Sequence, residues 1–129
     1  VYNLVRSLRQ QGVPINGVGL QTHLTIQYGF PNDLRSNLER FVALGVAVAI
    51  TEIDVRMPLP VDSSKLSTQA DYYKRVWDTC HAVSRCVEFT TWGFTDRHSW
   101  VPDAFNGQGA ACLFDSSLRP KPAYTRINP

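Results

Sequence analysis

Ala47-Val48-Ala49-Ile50-Thr51-Glu52-Ile53-Asp54-Val55 is a short apolar run that ends in two carboxylates. Gly45 precedes it and Pro58 and Pro60 follow, so turn signals bound it on both sides. Its length, flanks and β-branched content favour a buried strand over a helical segment. Side chains alternate along a strand, which places Val48, Ile50, Glu52 and Asp54 on one face and Ala49, Thr51, Ile53 and Val55 on the other. Both faces begin apolar, as in a parallel strand covered on both sides. The charges sit only at the C-terminal end. An unpaired buried charge is costly, so they are expected either to be paired or to stand at the mouth of a cleft.

The sequence before this strand has the form of a crossover unit. Val1 to Gln11 carries Leu4, Val5 and Leu8 at helical spacing, with Gly12 as a stop. Gly17 to Leu24 reads as one strand, with Gly19, Gln21 and His23 on a shared face. Asn32 is placed to cap a helix striped by Leu34, Leu38, Phe41 and Val42. After the strand, Arg56 to Leu66 reads as a loop. Ser67 or Thr68 is placed to cap a helix, with Thr68 and Asp71 as a capping-box variant. Tyr73, Val76, Trp77, Cys80 and Val83 form its apolar stripe, which assigns Trp77 to the core. Val87 to Phe94 reads as a third strand, with Thr90, Trp92 and Phe94 on one face. Thr95 to Gly109 is a long loop, and Lys121 to Ile127 a closing helix with Pro122 in its first turn. The alternation implies an α/β fold with parallel strands and right-handed crossovers. His23, Glu52 and Trp92 then fall at the C-terminal ends of successive strands, where parallel α/β folds build their sites.

Composition narrows the function. The 129 residues suffice for one modest core, and 43% hydrophobic with 19% charged residues suits a globular protein. The net charge of +2 and the absence of a Lys/Arg run argue against a nucleic-acid or anionic-membrane partner. No apolar stretch has transmembrane length. The chain opens Val1-Tyr2-Asn3-Leu4-Val5, without Met or leader, and is expected to be cut from a longer polypeptide. Cys80 and Cys86 are close in sequence. As a disulfide they would close a small loop worth about 2 kcal/mol and indicate an oxidising compartment; as thiols they would be two buried core residues. No CxxC or HxxxH spacing offers a metal site, and no cofactor motif occurs.

Glu52 is the candidate nucleophile or base, and its strand-end position with Asp54 nearby supports that over a purely structural carboxylate. His23 is within reach of Glu52 or Asp54 from the neighbouring strand, with Asp54 orienting the ring rather than reacting. Trp92 and Trp100 are candidate sugar platforms, since an aromatic face packs on the C–H face of a pyranose; the alternative is plain core packing. No Ser or Cys triad is present: Ser99 has only the adjacent His98, and chain neighbours rarely face each other productively.

Four motifs occur in order: Gly17-Val18-Gly19-Leu20-Gln21-Thr22-His23-Leu24; Ile50-Thr51-Glu52-Ile53-Asp54; Thr91-Trp92-Gly93-Phe94-Thr95-Asp96 with Ser99-Trp100; and Leu113-Phe114-Asp115 with Lys121-Pro122-Ala123-Tyr124. Together they resemble the C-terminal part of a glycoside hydrolase family ten endo-1,4-β-xylanase, over nearly the whole chain. The resemblance implies part of an eight-stranded (β/α)8 TIM barrel, from the helix before the sixth strand to the C-terminal helix, in a secreted enzyme that cuts xylan with retention. Glu52 matches the nucleophile, His23 the histidine bonded to it and Asp54 the aspartate that holds that histidine. Gln21 matches a substrate contact near the cleavage point, and Trp92 and Trp100 match glycone-side tryptophans. Cys80 and Cys86 match a pair joined as a disulfide in many members, whereas Cys112 is expected buried and free.

The departure is one of extent. A TIM barrel takes about 250 residues. The family's acid/base glutamate lies in an Asn-Glu motif on the fourth strand, and no Asn-Glu pair occurs here. The chain alone is therefore expected to be inactive, with open sheet edges where the first and fifth strands would pair. Two other readings remain: a non-catalytic glycan-binding or half-barrel assembly module, and a segment of another retaining barrel glycosidase such as a cellulase or mannanase.

Overall fold

In the computed structural model, which describes residues 1–128, the central element is β3 (Ala47–Pro58). It is preceded by α1 (Tyr2–Gln10), β1 (Gly17–Leu20), β2 (His23–Thr25) and α2 (Leu34–Ala43). It is followed by α3 (Ser63–Ala82), β4 (Cys86–Thr91), a 3-10 turn at Asp96–His98, α4 (Val101–Ala104), β5 (Gln108–Gly109) and α5 (Pro122–Ile127). β1, β2 and β4 run parallel to β3, and Ile50 is paired on both sides, with Leu20 and with Phe89. Among the described residues, β1 and β4 pair only with β3, which leaves the two expected open edges.

The first expected strand is interrupted. β1 ends at Leu20 and β2 resumes at His23, with Thr22 between them at φ +65 and its hydroxyl donating to Leu20 O at 3.1 Å. Across this break Leu20 pairs with Ile50 and His23 with Asp54, so three steps along one strand span four along the other. The β4 flank shows the same surplus: Ile50–Phe89 is followed by Ile53–Thr91. β3 thus carries one extra residue at Thr51–Ile53, a bulge of the kind that re-aims side chains beside sites.

That bulge corrects the expected facing of β3. The fully buried apolar residues run Val46, just before β3, then Val48 and Ile50, and then Ile53, Val55 and Met57, so the buried face changes from even to odd numbers. Glu52 and Asp54 therefore do not share the face of Val48 and Ile50. The extra residue turns both carboxylates away from the helix-covered core.

The helices cover one face of the sheet. Leu34, Leu38 and Phe41 of α2, Ala70, Tyr73, Val76 and Cys80 of α3 and Ala123 and Ile127 of α5 pack with Val48, Ile50, Ile53 and Val55. The opposite face is lined by small side chains. A Cβ on Gly17 would lie 3.9 Å from Ala47 Cβ, and one on Gly19 only 2.8 Å from Thr51 Cγ2. The threonine is stiff at χ1 and its hydroxyl is tied to Leu20 O at 3.2 Å, so it has little room to give. Gly19→Ala is expected to destabilise the chain by about 1–3 kcal/mol through overpacking. Adding Thr51→Ser, which removes the clashing methyl, should recover most of that loss in urea unfolding.

Other boundaries also differ from expectation. α3 begins four residues before Ser67 because Asp62, in extended conformation, accepts from Lys65 N at 2.8 Å and caps it. Ser67 and Thr68 lie inside the helix. Asp33 rather than Asn32 precedes α2, and Asn32 Oδ1 instead accepts from Arg75 Nη2 of α3 at 2.8 Å. β4 stops at Thr91 and Gly93 takes φ +77, so the alternation expected for Thr90, Trp92 and Phe94 is broken. Trp77 is half-buried at the core's rim, edge-on to Phe89 and tilted over His81. Cys80 and Cys86 form a disulfide, which joins the end of α3 to the start of β4, and Cys112 is a buried free thiol.

Candidate active site

Three strands converge where the sequence placed its chemistry. β2 opens with His23 opposite Asp54, β3 passes Glu52, and Trp92 follows β4, its N–H donating to Ile53 O at 3.0 Å. His23 Nε2 lies 3.2 Å from Glu52 Oε2, and its Nδ1 lies 3.1 Å from Asp54 Oδ2, off the line a good hydrogen bond needs. The ring thus bridges two carboxylates. Trp100 Nε1 donates to the same Asp54 Oδ2 at 2.7 Å. The indoles of Trp100 and Trp92 stand edge-to-face to the imidazole, with centroids 5.1 and 6.5 Å away.

Burial grades these groups by task. Asp54 is 1% exposed, and Glu52 and His23 are partly open, with side chains 25% and 21% exposed. Burial pushes the Asp54 carboxyl above the usual carboxylate range, against the opposing pull of the Trp100 indole N–H and the His23 ring. A buried carboxylate shared by an imidazole and an indole is an anchor, whereas the half-open Glu52 is the group a ligand can reach. Trp92 is 48% exposed.

Gln21 is the expected site residue that the geometry leaves apart. It follows β1 at the strand break, is exposed, and lines a groove of about 430 Å³ with Val1, Tyr2, Asn37, Arg40 and Phe41. No hydrogen bond ties it to Glu52 or His23 among the described residues. Among those residues there is also no cluster of His, Cys, Asp and Glu able to hold a metal.

The structure adds supports that the sequence reading missed. Lys121 is 6% exposed; its Nζ bonds Asp96 Oδ2 at 3.1 Å and Ala110 O at 2.6 Å, while Asp96 Oδ1 accepts Cys112 N at 2.8 Å. Gln69 Nε2 donates to Val55 O and Ala110 O, and Tyr73 OH to Ala111 O. These bonds seat the 110–112 segment beneath the loop that bears Trp92 and Trp100. The signal was faint: single polar residues at buried helix and loop positions, separated by tens of residues from their partners.

Burial also pushes the Cys112 thiol up, from 9.0 to about 11. The folded chain then keeps this proton between pH 9 and pH 11 while the unfolded chain loses it, so stability falls with pH across that window. Cys112→Ala is expected to flatten this alkaline slope, as read by urea midpoints at successive pH values.

The sequence profile described as glycosyl hydrolase family 10 matches residues 1–129. The chain belongs to that family. The family 10 chain is 55% identical over 125 residues to an endo-1,4-β-xylanase of Agaricus bisporus, covering 97% of itself and 37% of that protein. It superposes on native xylanase 10B from Thermotoga maritima with TM-score 0.93 and 41% identity, over 98% of itself and 40% of that chain. It matches xylanase 10B from Thermotoga petrophila in complex with xylobiose with TM-score 0.93 and 42% identity, over 98% of itself and 39% of that chain. Family 10 structures are TIM barrels, and this family 10 chain is an α/β portion that matches them. It spans about two fifths of the length of these relatives.

Proposed function

We propose that the chain is the nucleophile-bearing segment of a secreted retaining endo-1,4-β-xylanase, running from the helix before the sixth barrel strand to the C-terminal helix. The observation that carries this is His23 held between Glu52 and Asp54 at 3.2 and 3.1 Å, beside two indoles. In this reading Asp54 orients the imidazole and His23 Nε2 engages Glu52 Oε2, which leaves Oε1 to attack the anomeric carbon of a xylosyl unit. Trp92 and Trp100 take the sugar's apolar face, and Gln21 reaches the substrate only when the groove beside it is completed. The xylobiose held by the Thermotoga petrophila relative supports a xylo-oligosaccharide ligand. The Cys80–Cys86 disulfide supports an extracellular setting.

Retaining hydrolysis needs a second carboxyl about 5–5.5 Å from the first, to protonate the leaving oxygen and then activate water. Asp54 is not that group, because its Oδ2 is already committed to Trp100 and faces the His23 ring. The second carboxyl belongs to the part of the barrel outside this chain. Purified chain is accordingly expected to release no reducing sugar from xylan above a Glu52→Ala control. Turnover by the chain that Glu52→Ala abolishes would overturn this assignment of roles.

A further inference from the structure

β3 runs on past Asp54, and this extension holds the loop that carries Trp100. The attachments follow in register. Asp54 Oδ2 accepts from Trp100 Nε1 at 2.7 Å. Two residues on, the Arg56 guanidinium lies over the Phe105 ring, 3.9 Å from its centroid, and Arg56 Nε donates to Gln108 Oε1 at 3.0 Å. Met57 and Pro58 then pair antiparallel with Gly109 and Gln108. Phe105 closes the circuit, since its ring stands edge-to-face to Trp100 with centroids 5.5 Å apart at 72°.

A chain of contacts therefore runs from Arg56 to the indole through Phe105. The planar guanidinium does two things at once: its face covers an aromatic ring and its edge donates to a side-chain amide. A lysine would keep the charge and lose both. The Arg56 charge also favours the Asp54 carboxylate at a distance. That interaction belongs to charge alone and would survive in a lysine variant.

We propose that Arg56 is a positioning residue for Trp100. With Phe105 as the intermediate, it holds the indole at a fixed angle to His23 and so pre-forms a sugar platform that would otherwise be ordered only on binding. The inference rests on the reading of Trp100 as a surface for xylosyl units, and it adds what fixes that surface. Pre-ordering one side chain saves the entropy of immobilising it, which corresponds to a three- to tenfold difference in affinity.

The test follows the indole directly and the sugar separately. In the ¹⁵N-labelled chain, the Trp100 Nε1–H resonance is identified by its loss in Trp100→Phe, and its hydrogen exchange and line width are measured without ligand. Arg56→Met and Arg56→Lys are both expected to speed that exchange about tenfold and to shift the resonance, with the thermal midpoint little changed. Xylotriose titration of a complete barrel, made by setting this segment in place of its counterpart in the Agaricus bisporus enzyme, should then show affinity about three- to tenfold weaker in both variants. An unchanged Trp100 resonance in Arg56→Met would overturn the proposal whether or not sugar binds. Equal xylotriose affinity in wild type and both variants, with binding demonstrated, would overturn its functional half. If the wild type binds no xylotriose while the resonance responds to Arg56, positioning stands and the sugar-platform reading of Trp100 fails. Should Arg56→Met not fold, Phe105→Leu removes the same contact from the other side and is read the same way.

Discussion

Glu52→Gln is expected to lower xylan hydrolysis by about four to six orders of magnitude, the size seen when a covalent nucleophile is removed. The measurement needs a complete barrel. Residues 1–128 can be exchanged for the matching segment of the Agaricus bisporus enzyme, which is 55% identical over 125 residues. The chimera with Glu52 intact serves as the reference. Glutamine keeps an acceptor for His23 but not the attacking oxygen, so folding and xylotriose binding should be retained while kcat collapses. In Glu52→Ala, whose shortened side chain leaves room beside the sugar, azide, a small external nucleophile, should restore part of the rate and yield a glycosyl azide of inverted configuration. A loss below tenfold would show that Glu52 supports the site without attacking.

The second large effect is on stability. Lys121→Met should cost about 3–5 kcal/mol, because it strands the Asp96 carboxylate in a site 14% exposed and leaves Ala110 O without its ammonium donor. Burial lowers the pKa of Lys121 and Asp96 pulls it back up, so the ammonium is held there by its partner. The companion change Asp96→Asn removes the stranded charge and keeps an acceptor for Cys112 N. In the double variant most of the loss should return. Urea midpoints of the single and double variants check this; additive losses would mean that the two groups act independently.

How much of this was legible depends on the distance over which each interaction acts. The convergence of His23, Glu52 and Trp92 could be read because each stands at the end of an apolar run, and strand direction does the rest. The bulge at Thr51–Ile53 could not: it is a mismatch between β3 and both neighbours, and no local pattern in Ala47–Val55 records it. The Asp62 cap is masked in the sequence by Pro58 and Pro60, which give the whole stretch the character of a loop, although β3 continues to Pro58. The attachments of Arg56 to Phe105 and of Lys121 to Asp96 join residues far apart in sequence, where only folding brings the partners together. Gln21 shares a face with His23 only in an unbroken strand, and the turn at Thr22 separates them.

The odd residue in β3 behaves as a phase shifter between two halves of one strand. Upstream of it, even numbers are greasy and face the helices; downstream, odd numbers are. Deleting a single residue at this point would leave Ile53, Val55 and Met57 in phase with Val48 and Ile50; what it would remove is the offset that brings Glu52 and Asp54 to either side of His23. The extra length of this strand thus serves the rim and its charges, while the greasy face would be continuous without it.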